Sequence, residues 1–303
     1  MTASTLVPVP PLPPGHRYQR IGVSRVAGAC GATIDGVDLA TVLPDETIAE
    51  IRRAILDHQV VFFRGQDLDP TQQVAFSRRL GPASPVPFVL PIDEHPEVIA
   101  VVREATETQG FTFGSLWHSD FSFLPEPPFA SLLHAREVPP YGGDTLWASQ
   151  TLAYAHCSSG LRAVIDRLDA VHSAERGYAP SMQAVHDSFS GMRVQTDESA
   201  LRTQVHPVVR IHAETGVPAL YVNPQYTTGL VGFMPHEAQP LLDLLFTHAT
   251  RPEFTCRWQW QVGDVAVWDN RAVLHMAMAD FTGHRRALYR TTVAGEVPSA
   301  PPR

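Results

Sequence analysis

The spacing of apolar residues predicts two helices in the first third of the chain. Ile48, Ile51 and Ile55 fall at offsets of three and seven, which places them on one face of a helix over residues 45–58. A second helix over residues 70–80 is indicated by its boundaries, because an aspartate precedes it as a cap, Pro70 takes its first position and Gly81 follows its end.

Runs typical of strands occur throughout the rest of the chain. Residues 60–63 form a continuous apolar run, which predicts a strand buried on both faces. Residues 18–43 alternate short apolar runs with glycines, which favours small strands and turns. Further strands are predicted at residues 98–103, 130–137, 145–147, 205–211, 219–222, 255–260, 264–268 and 286–293, and further helices at 149–156, 159–168 and 240–248.

Strands outnumber helices, and no linker or change of composition divides the chain. We therefore predict one domain at residues 18–297 with a mainly β core and flanking helices. A Pro-rich N-terminal arm at residues 1–17 precedes it, and a short C-terminal tail at residues 298–303 follows it.

Composition excludes several classes of partner. The 303 residues carry a formal net charge of −8, which leaves no surplus of cations to neutralise phosphates, so neither nucleic acid nor an anionic membrane is expected as a partner. No apolar run approaches the ~18 to 20 residues that a membrane-spanning helix needs, and no signal peptide is recognisable. The three cysteines are widely spaced, which favours free thiols in a reducing cytoplasm over disulfides.

A candidate metal-ligand pair lies in the middle of the chain. In an extended strand, residues two apart point to the same side, so His118 and Asp120 can present a nitrogen and an oxygen to one cation. With one distant histidine they would complete the triad that binds non-haem Fe(II). The pattern alone leaves metal ligation and a structural role equally open. Residues 95–97 and 212–214 repeat it, but both are better explained as turns.

The C-terminal part of the chain supplies a histidine and two arginines of interest. His275 follows a predicted strand and turn, and Arg286 and Arg290 are four apart, hence on one face of a strand. Two inward guanidiniums in an acidic protein indicate anionic ligands, which each could hold with a bidentate fork. The alternative is that they pair with acidic residues of the chain itself, for which Asp144, Asp264 and Asp280 are the candidates.

At this point the sequence resembles the TauD/TfdA (taurine/2,4-dichlorophenoxyacetate) family of Fe(II)- and 2-oxoglutarate-dependent dioxygenases. Ordered matches at residues 31–39, 61–65, 117–120, 142–147, 220–223, 248–254, 268–271 and 286 carry the resemblance. It implies a double-stranded β-helix, the jelly roll of cupin-like proteins. It also implies that the enzyme uses O2, hydroxylates a C–H bond and releases succinate and CO2.

The resemblance assigns site residues one by one. It implies that His118, Asp120 and His275 bind Fe(II) and are the catalytic centre. Thr145 and Arg286 would hold the distal carboxylate of 2-oxoglutarate, and Arg290 would meet the anionic group of the substrate. Dimers or tetramers are common in the family, so a homo-oligomer is expected.

The match fails in the region that would select the substrate. The taurine enzymes have polar His and Tyr residues after the second helix, whereas residues 82–90 here carry no ionisable side chain. We expect a small carboxylate, sulfonate or sulfate ester with an apolar or aromatic body. Its predicted pocket walls are Phe88, Phe113, Trp117 and Tyr226.

Other functions stay open at this stage. The enzyme could tailor a secondary metabolite or an amino-acid-derived substrate instead of degrading a free acid. More remote alternatives are a cupin-type metal enzyme that does not use 2-oxoglutarate and a non-catalytic binding module. A non-catalytic binding module would not need all five of the residues that the resemblance assigns to the metal and the cosubstrate, which are His118, Asp120, His275, Thr145 and Arg286.

Overall fold

The computed structural model describes residues 18–108 and 110–302. The predicted Pro-rich arm lies outside the described residues. Among the described residues no helix has both the length and the apolar character needed to cross a membrane.

The described strands form one large sheet and three small ones. The strands are β1 Gly22–Arg25, β2 Ala32–Asp35, β3 Val60–Phe63, β4 Ile99–Arg103, β5 Ala130–Glu137, β6 Thr145–Ser149, β7 Asp169–Ser173, β8 Thr203–Pro207, β9 Val209–Ile211, β10 Pro218–Leu220, β11 Thr227–Leu230, β12 Thr255–Trp258, β13 Val265–Asp269, β14 Val273–Ala277 and β15 Arg286–Val293. The large sheet has the order β1-β2-β3-β13-β5-β15-β4, and the small sheets have the orders β12-β6-β14, β11-β7-β8 and β10-β9. All pairs are antiparallel except β2 with β3.

Helices lie between these strands. They are α1 Asp45–His58, α2 Pro70–Leu80, α3 Gln150–Ala155, α4 Ser159–Ile165, α5 Glu175–Tyr178, α6 Gln183–His186 and α7 Pro235–Ala249. Short 3-10 turns occur at Pro180–Met182, Glu198–Leu201 and Pro252–Phe254. The Asp69 side chain caps α2 by accepting a hydrogen bond from the Gln72 backbone, as the sequence predicts.

The central strands β3 and β13 of the large sheet are buried on both faces, which explains why the sequence of β3 is continuously apolar. Val60 and Phe62 face a core shared with β6, β12 and β14, whereas Val61 and Phe63 face a second core under α1 and α2. The period of two along a strand sends successive side chains to these two cores. Two sheets packed over a common core, with helices outside, give the predicted jelly roll with a mainly β fold.

The structure differs from the sequence prediction at several elements. Strands β7, β11 and β14 were not among the predicted strands. Helix α7 begins at Pro235 and not at Pro240, because Glu237 accepts a hydrogen bond from the Met234 backbone and closes an earlier first turn. Pro240 lies inside this helix on its exposed side. In the predicted tail, Ser299 forms an antiparallel bridge to Ile211.

Candidate metal centre and adjoining cavities

His118 and His275 are brought together by their backbones. The N–H of each donates to the carbonyl of the other, at 3.0 Å and 2.8 Å, in an antiparallel bridge. Their rings therefore lie on the same side, with centroids 4.1 Å apart. β14 places His275, and the segment that leads away from Gly114 places His118. Residues 157 apart in sequence thus become neighbours through strand pairing.

Asp120 completes the predicted triad. Its Oδ1 atom lies 3.7 Å from Nε2 of His118 and 3.9 Å from Nε2 of His275. One ligand atom from each of the three residues lies within 4.8 Å of the others, and all three side chains are buried. Among the described residues this is the one such cluster of metal-ligating side chains. The arrangement could hold a divalent cation with two imidazole nitrogens and one carboxylate oxygen.

The two other His-x-acid pairs form no such cluster. His95 lies in a tight turn that bridges back to Ile92. His212 lies at the start of the hairpin loop between β9 and β10 and donates to Asp269 at 2.9 Å. Glu214 is bound by two arginines. Both pairs are turns, as the sequence predicts.

Hydrogen bonding and burial favour the tautomer and the neutral form in which the two histidines can bind a metal. Nδ1 of His118 lies 2.7 Å from the Leu116 carbonyl oxygen, so it carries the proton and leaves the Nε2 lone pair facing the triad. Burial lowers the pKa of His118. Burial, together with the neighbouring His118, lowers the pKa of His275 well below its ordinary value. Both rings are therefore neutral at neutral pH, which is the form that binds metals.

Asp120 is held as a carboxylate. Burial by itself raises the pKa of Asp120, but Arg290 and the two histidines outweigh this and bring the pKa to about 2. Arg290 Nη1 donates to Oδ1 at 3.1 Å, and the hydroxyl of Ser131 donates to Oδ2 at 2.6 Å.

Arg286 and Thr145 lie side by side next to the triad. Register places Thr145 opposite Ala277, two residues after His275 on β14. Nη2 of Arg286 donates to Thr145 Oγ1 at 3.3 Å, and the indole of Trp260 donates to the same oxygen at 3.0 Å. Because that oxygen accepts two N–H groups, its own proton is free to donate to a ligand.

The guanidinium of Arg286 is buried, and its Nε has no partner. Burial lowers the pKa of Arg286 to about 10, although Asp144 and Asp280 act in the opposite direction, so it is still charged at neutral pH. A side chain at Gly143 would place Cβ 3.1 Å from Arg286 Cδ, and its backbone has φ +67°. Glycine at this position leaves room for the guanidinium.

The carboxylates considered as partners for these arginines are bound elsewhere. Arg257 pairs with Asp144 and Asp280, and Arg64 pairs with Asp264. Arg290 pairs instead with Asp120 and keeps two buried nitrogens, Nε and Nη2, without a partner. Arg285 points the other way, to Glu104 and Glu137 at the surface, as strand alternation predicts.

Two cavities meet at His118. The larger has a volume of about 200 Å³, and its lining is mainly apolar. The smaller is lined by the triad histidines together with Thr145, Arg286 and Arg290. Phe113, Gly114 and His118 line both.

The predicted pocket walls divide between these cavities and the core. Phe113 and Tyr226 line the larger cavity. Phe88 does not line it, because its ring stacks on Tyr178 at 4.9 Å and so forms a second layer behind that residue. Trp117 does not line it either, and packs against the core between the sheets. Arg290 lies in the smaller cavity, beside Arg286.

A large part of the lining of the larger cavity comes from a segment that the sequence analysis does not single out. It is formed by α5, α6 and the residues after them, with Tyr178, Met182, Val185, Phe189 and Met192 as members. Burial raises the pKa of Tyr178 to about 12 and raises the pKa of Tyr226 well above its ordinary value. No metal-ligand or phosphate-binding motif marks this segment, so only its fold reveals it.

Comparison with known proteins places the chain in a family. The model of the family described as "Taurine catabolism dioxygenase TauD, TfdA family" matches residues 22–292. An alkylsulfatase of Acinetobacter baylyi is 36% identical over 92% of this chain and 86% of its own length. An alpha-ketoglutarate-dependent sulfate ester dioxygenase of Pseudomonas putida is 37% identical over 92% of this chain and 91% of its own.

A solved structure agrees with these sequence matches. The crystal structure of a taurine dioxygenase from Burkholderia xenovorans superposes with a TM-score of 0.78 at 39% identity and covers 93% of this chain and 94% of its own. Such enzymes use Fe(II), O2 and 2-oxoglutarate, which is also called alpha-ketoglutarate. The chain therefore belongs to the TauD/TfdA family and is an Fe(II)- and 2-oxoglutarate-dependent dioxygenase that acts on a small anionic substrate.

Proposed function

We propose that this dioxygenase oxidises alkyl sulfate esters, with iron on His118, Asp120 and His275 and with 2-oxoglutarate on Arg286 and Thr145. The observation that carries the proposal is a buried His-Asp-His cluster whose two histidines line one cavity together with two buried guanidiniums that have unpaired N–H groups. Such guanidiniums are costly to bury unless anions reach them.

The donor set fits Fe(II). His118, His275 and Asp120 would hold the ion with two neutral imidazoles and one carboxylate, a donor set that would leave positions for other ligands. The Leu116 carbonyl fixes the tautomer of His118, which favours ligation through Nε2.

The residues around Arg286 fit a carboxylate. The free Nε of Arg286 and the free proton of the Thr145 hydroxyl are two neighbouring donors of residues that line the smaller cavity. His118 and His275 line the same cavity. A keto acid bound there would have its distal carboxylate on Arg286 and its keto end toward the triad.

Iron and 2-oxoglutarate supply, when bound, the oxidising chemistry that hydroxylates a substrate C–H bond and releases succinate and CO2. The residues of this chain contribute position and the exclusion of water. Arg286 and Thr145 fix the cosubstrate, and the apolar lining of the larger cavity keeps water from the reacting carbon. The unpaired nitrogens of Arg290 are available to the anionic head of the substrate.

The choice of a sulfate ester rests on the larger cavity and on two relatives. The cavity has a volume of about 200 Å³ and a mainly apolar lining, which suits an alkyl chain. The two relatives described above are named as an alkylsulfatase and a sulfate ester dioxygenase. The absence of ionisable residues at positions 82–90 argues against a substrate with an ammonium group.

An oxidising enzyme can release sulfate from such an ester. Hydroxylation of the carbon that carries the ester oxygen gives a hemiacetal sulfate. Its hydroxyl then loses a proton, the C–O bond to sulfate breaks, and the products are an aldehyde and inorganic sulfate. One atom of O2 enters the substrate and the other enters succinate.

The test is aerobic turnover with Fe(II), ascorbate and 2-oxoglutarate. Hexyl sulfate, hexanesulfonate, phenoxyacetate and taurine are compared, and succinate and inorganic sulfate are both measured against a reaction without substrate. We expect hexyl sulfate to give the largest kcat/KM, with one sulfate for each additional succinate. If another compound is preferred and hexyl sulfate releases no sulfate, the substrate proposal is wrong.

Two expectations of the sequence stay predictions. One is a dimer or tetramer, which light scattering of the purified protein would measure. The other is a cytoplasmic location, which fractionation of cells would measure.

A further inference from the structure

Three buried side chains form a line of hydrogen bonds behind Asp120. The indole Nε1 of Trp268 donates to Asn270 Oδ1 at 2.9 Å, and Asn270 Nδ2 donates to Ser131 Oγ at 3.0 Å. Ser131 Oγ in turn donates to Asp120 Oδ2 at 2.6 Å. All four side chains are at most 2% exposed.

The direction of every bond in this line is fixed. The indole of Trp268 can only donate, and the backbone N–H of Asp120 also donates to Asn270 Oδ1, at 3.3 Å. The oxygen of the Asn270 amide therefore faces these two donors, and its NH2 group faces Ser131. Because Ser131 Oγ accepts from this amide, its single proton goes to Asp120.

Strand pairing holds the line in place. Ser131 on β5 lies opposite Trp268 on β13 in the register of the large sheet. The Asn270 backbone donates to the Phe129 carbonyl at 2.8 Å, and the Ser119 hydroxyl donates to the Asn270 carbonyl at 2.7 Å. The Asn270 amide therefore stays aligned between Trp268 and Ser131.

The two oxygens of Asp120 consequently have different surroundings. Oδ2 accepts the short bond from Ser131, whereas Oδ1 accepts a bond from Arg290 and faces the Nε2 atoms of both histidines. Only Oδ1 is turned to the space between the three ligands. To bind through both oxygens, the carboxylate would have to turn Oδ2 toward the cation, away from the position in which the bond from Ser131 holds it.

We propose that Ser131, aligned by Asn270 and Trp268, is a positioning residue that restricts Asp120 to one ligating oxygen, Oδ1. The inference rests on the proposed role of Asp120 as an iron ligand. The restriction determines how many coordination positions of a bound metal ion stay open. With one oxygen from Asp120 and two imidazoles, three of six positions stay open, which is the number that a two-oxygen keto acid and O2 together need.

Removing the Ser131 hydroxyl should release Oδ2 toward the metal. In Ser131→Ala the second oxygen is left buried without a donor, and binding to the cation is its nearest compensation. One of the three open positions is then filled. The affinity for 2-oxoglutarate should fall about tenfold or more, the size of loss typical when an outer partner of a metal ligand is removed.

The experiment measures the Kd of 2-oxoglutarate by calorimetry, with the protein saturated by Mn(II) and without O2, so that no turnover occurs. The dissociation constant of Mn(II) itself is measured separately for each variant. Ser131→Thr keeps the hydroxyl and should restore the wild-type Kd of 2-oxoglutarate. Ser173→Ala, which removes a buried serine bound to the Ala200 carbonyl, is the matched control and should have no effect.

A second variant tests the direction of the line without changing its shape. Asn270→Asp replaces the donating NH2 group by an acceptor, so the proton of Ser131 is drawn away from Asp120. We expect the same loss as in Ser131→Ala, and this variant decides if Ser131→Ala does not fold. A crystal structure of the Mn(II)-loaded variant should show both Asp120 oxygens on the metal.

The outcomes separate the inference from the proposed function. If the wild-type protein binds no Mn(II) at this site, the proposed metal site itself is wrong. If it binds Mn(II) and 2-oxoglutarate but Ser131→Ala and Asn270→Asp bind 2-oxoglutarate as tightly as wild type, the positioning role is wrong and the proposed function stands.

Discussion

Arg290 and Asp120 form a buried ion pair at the candidate metal centre. Nη1 of Arg290 lies 3.1 Å from Oδ1 of Asp120, the same oxygen that faces both histidines. Nε and Nη2 of this guanidinium are buried without a partner. The arginine is thus fixed by one N–H on a proposed iron ligand and has other N–H groups without a partner, an arrangement that would connect a substrate anion on Arg290 to the metal.

The first prediction concerns Arg290. Arg290→Gln removes the charge that would hold the substrate anion, so we expect kcat/KM for hexyl sulfate to fall about 100-fold, the loss of a charge-assisted hydrogen bond of about 3 kcal/mol. Steady-state kinetics measures it. Arg285→Gln, on the neighbouring residue that pairs with Glu104 and Glu137 at the surface, is the control. Wild-type kcat/KM in Arg290→Gln would contradict the assignment.

The second prediction concerns the cosubstrate. Arg286→Met should raise the Kd of 2-oxoglutarate about 100-fold, and Thr145→Val should raise it about tenfold, because the first removes a charge and the second removes one neutral donor. Calorimetry on the metal-loaded protein measures both. Thr228→Val removes a hydroxyl bound to the Val171 carbonyl and serves as control. Equal Kd values in Arg286→Met and wild type would refute this site.

The third prediction concerns the metal. A cation that binds only the folded protein adds about 2.7 kcal/mol to the free energy of unfolding at a concentration of 100 Kd. We expect Fe(II) without O2, or Mn(II), to raise the Tm, and a chelator to reverse the effect. His275→Ala should abolish the shift, whereas His95→Ala, in the rival His-x-acid pair, should keep it. A metal-dependent shift that survives in His275→Ala would place the ion elsewhere.

The fourth prediction concerns the larger cavity. Val185 lines it, and Val185→Phe adds volume to its wall. We expect KM to rise more for decyl sulfate than for butyl sulfate, because the longer chain needs more of the cavity. Val164→Phe, at a half-exposed position of α4, is the control. If Val185→Phe changes KM equally for both chain lengths, the alkyl chain does not occupy this cavity.

The fifth prediction concerns stability against acid. Burial by itself raises the pKa of Asp269, but Arg271 and His212 outweigh it and hold the pKa well below its ordinary value. The folded pKa is thus lower than the unfolded value of about 3.9, so this carboxylate stabilises the fold above about pH 4 and loses that contribution as the pH falls further. Asp269→Asn should lower the free energy of unfolding at pH 7 by about 3 kcal/mol, since it leaves the buried Arg271 with fewer partners.

Urea titrations from pH 7 to pH 3 measure this effect. The difference between wild type and Asp269→Asn should shrink as the pH falls below about 4, because the Asp269 carboxylate of the unfolded wild-type chain then takes up a proton that the folded protein does not bind. Asp243→Asn, on the exposed side of α7, should show no such difference. A constant difference over the whole range would mean that the charge of Asp269 does not contribute.

Local sequence signals determined the elements that have strong boundaries or strict periods. Helices α1 and α2 follow from isoleucine spacing and from the Asp69–Pro70 cap, and β3 follows from its apolar run. Strands β7 and β11 were not predicted from the sequence, because they are formed by pairing in a small sheet. Pairing between residues far apart in the chain leaves no local periodic pattern.

For the site, the sequence by itself determined the chemistry of the side chains and, through strand alternation, that Arg286 and Arg290 share a face while Arg285 does not. The resemblance to a family named the metal and cosubstrate residues. Only the tertiary structure decided which partners these residues have. The bond from Ser131 to Asp120, the ion pair of Arg290, and the wall formed by α5 and α6 join segments far apart in the chain. Such contacts depend on how sheets and loops close over a common core, and no short stretch of sequence specifies that.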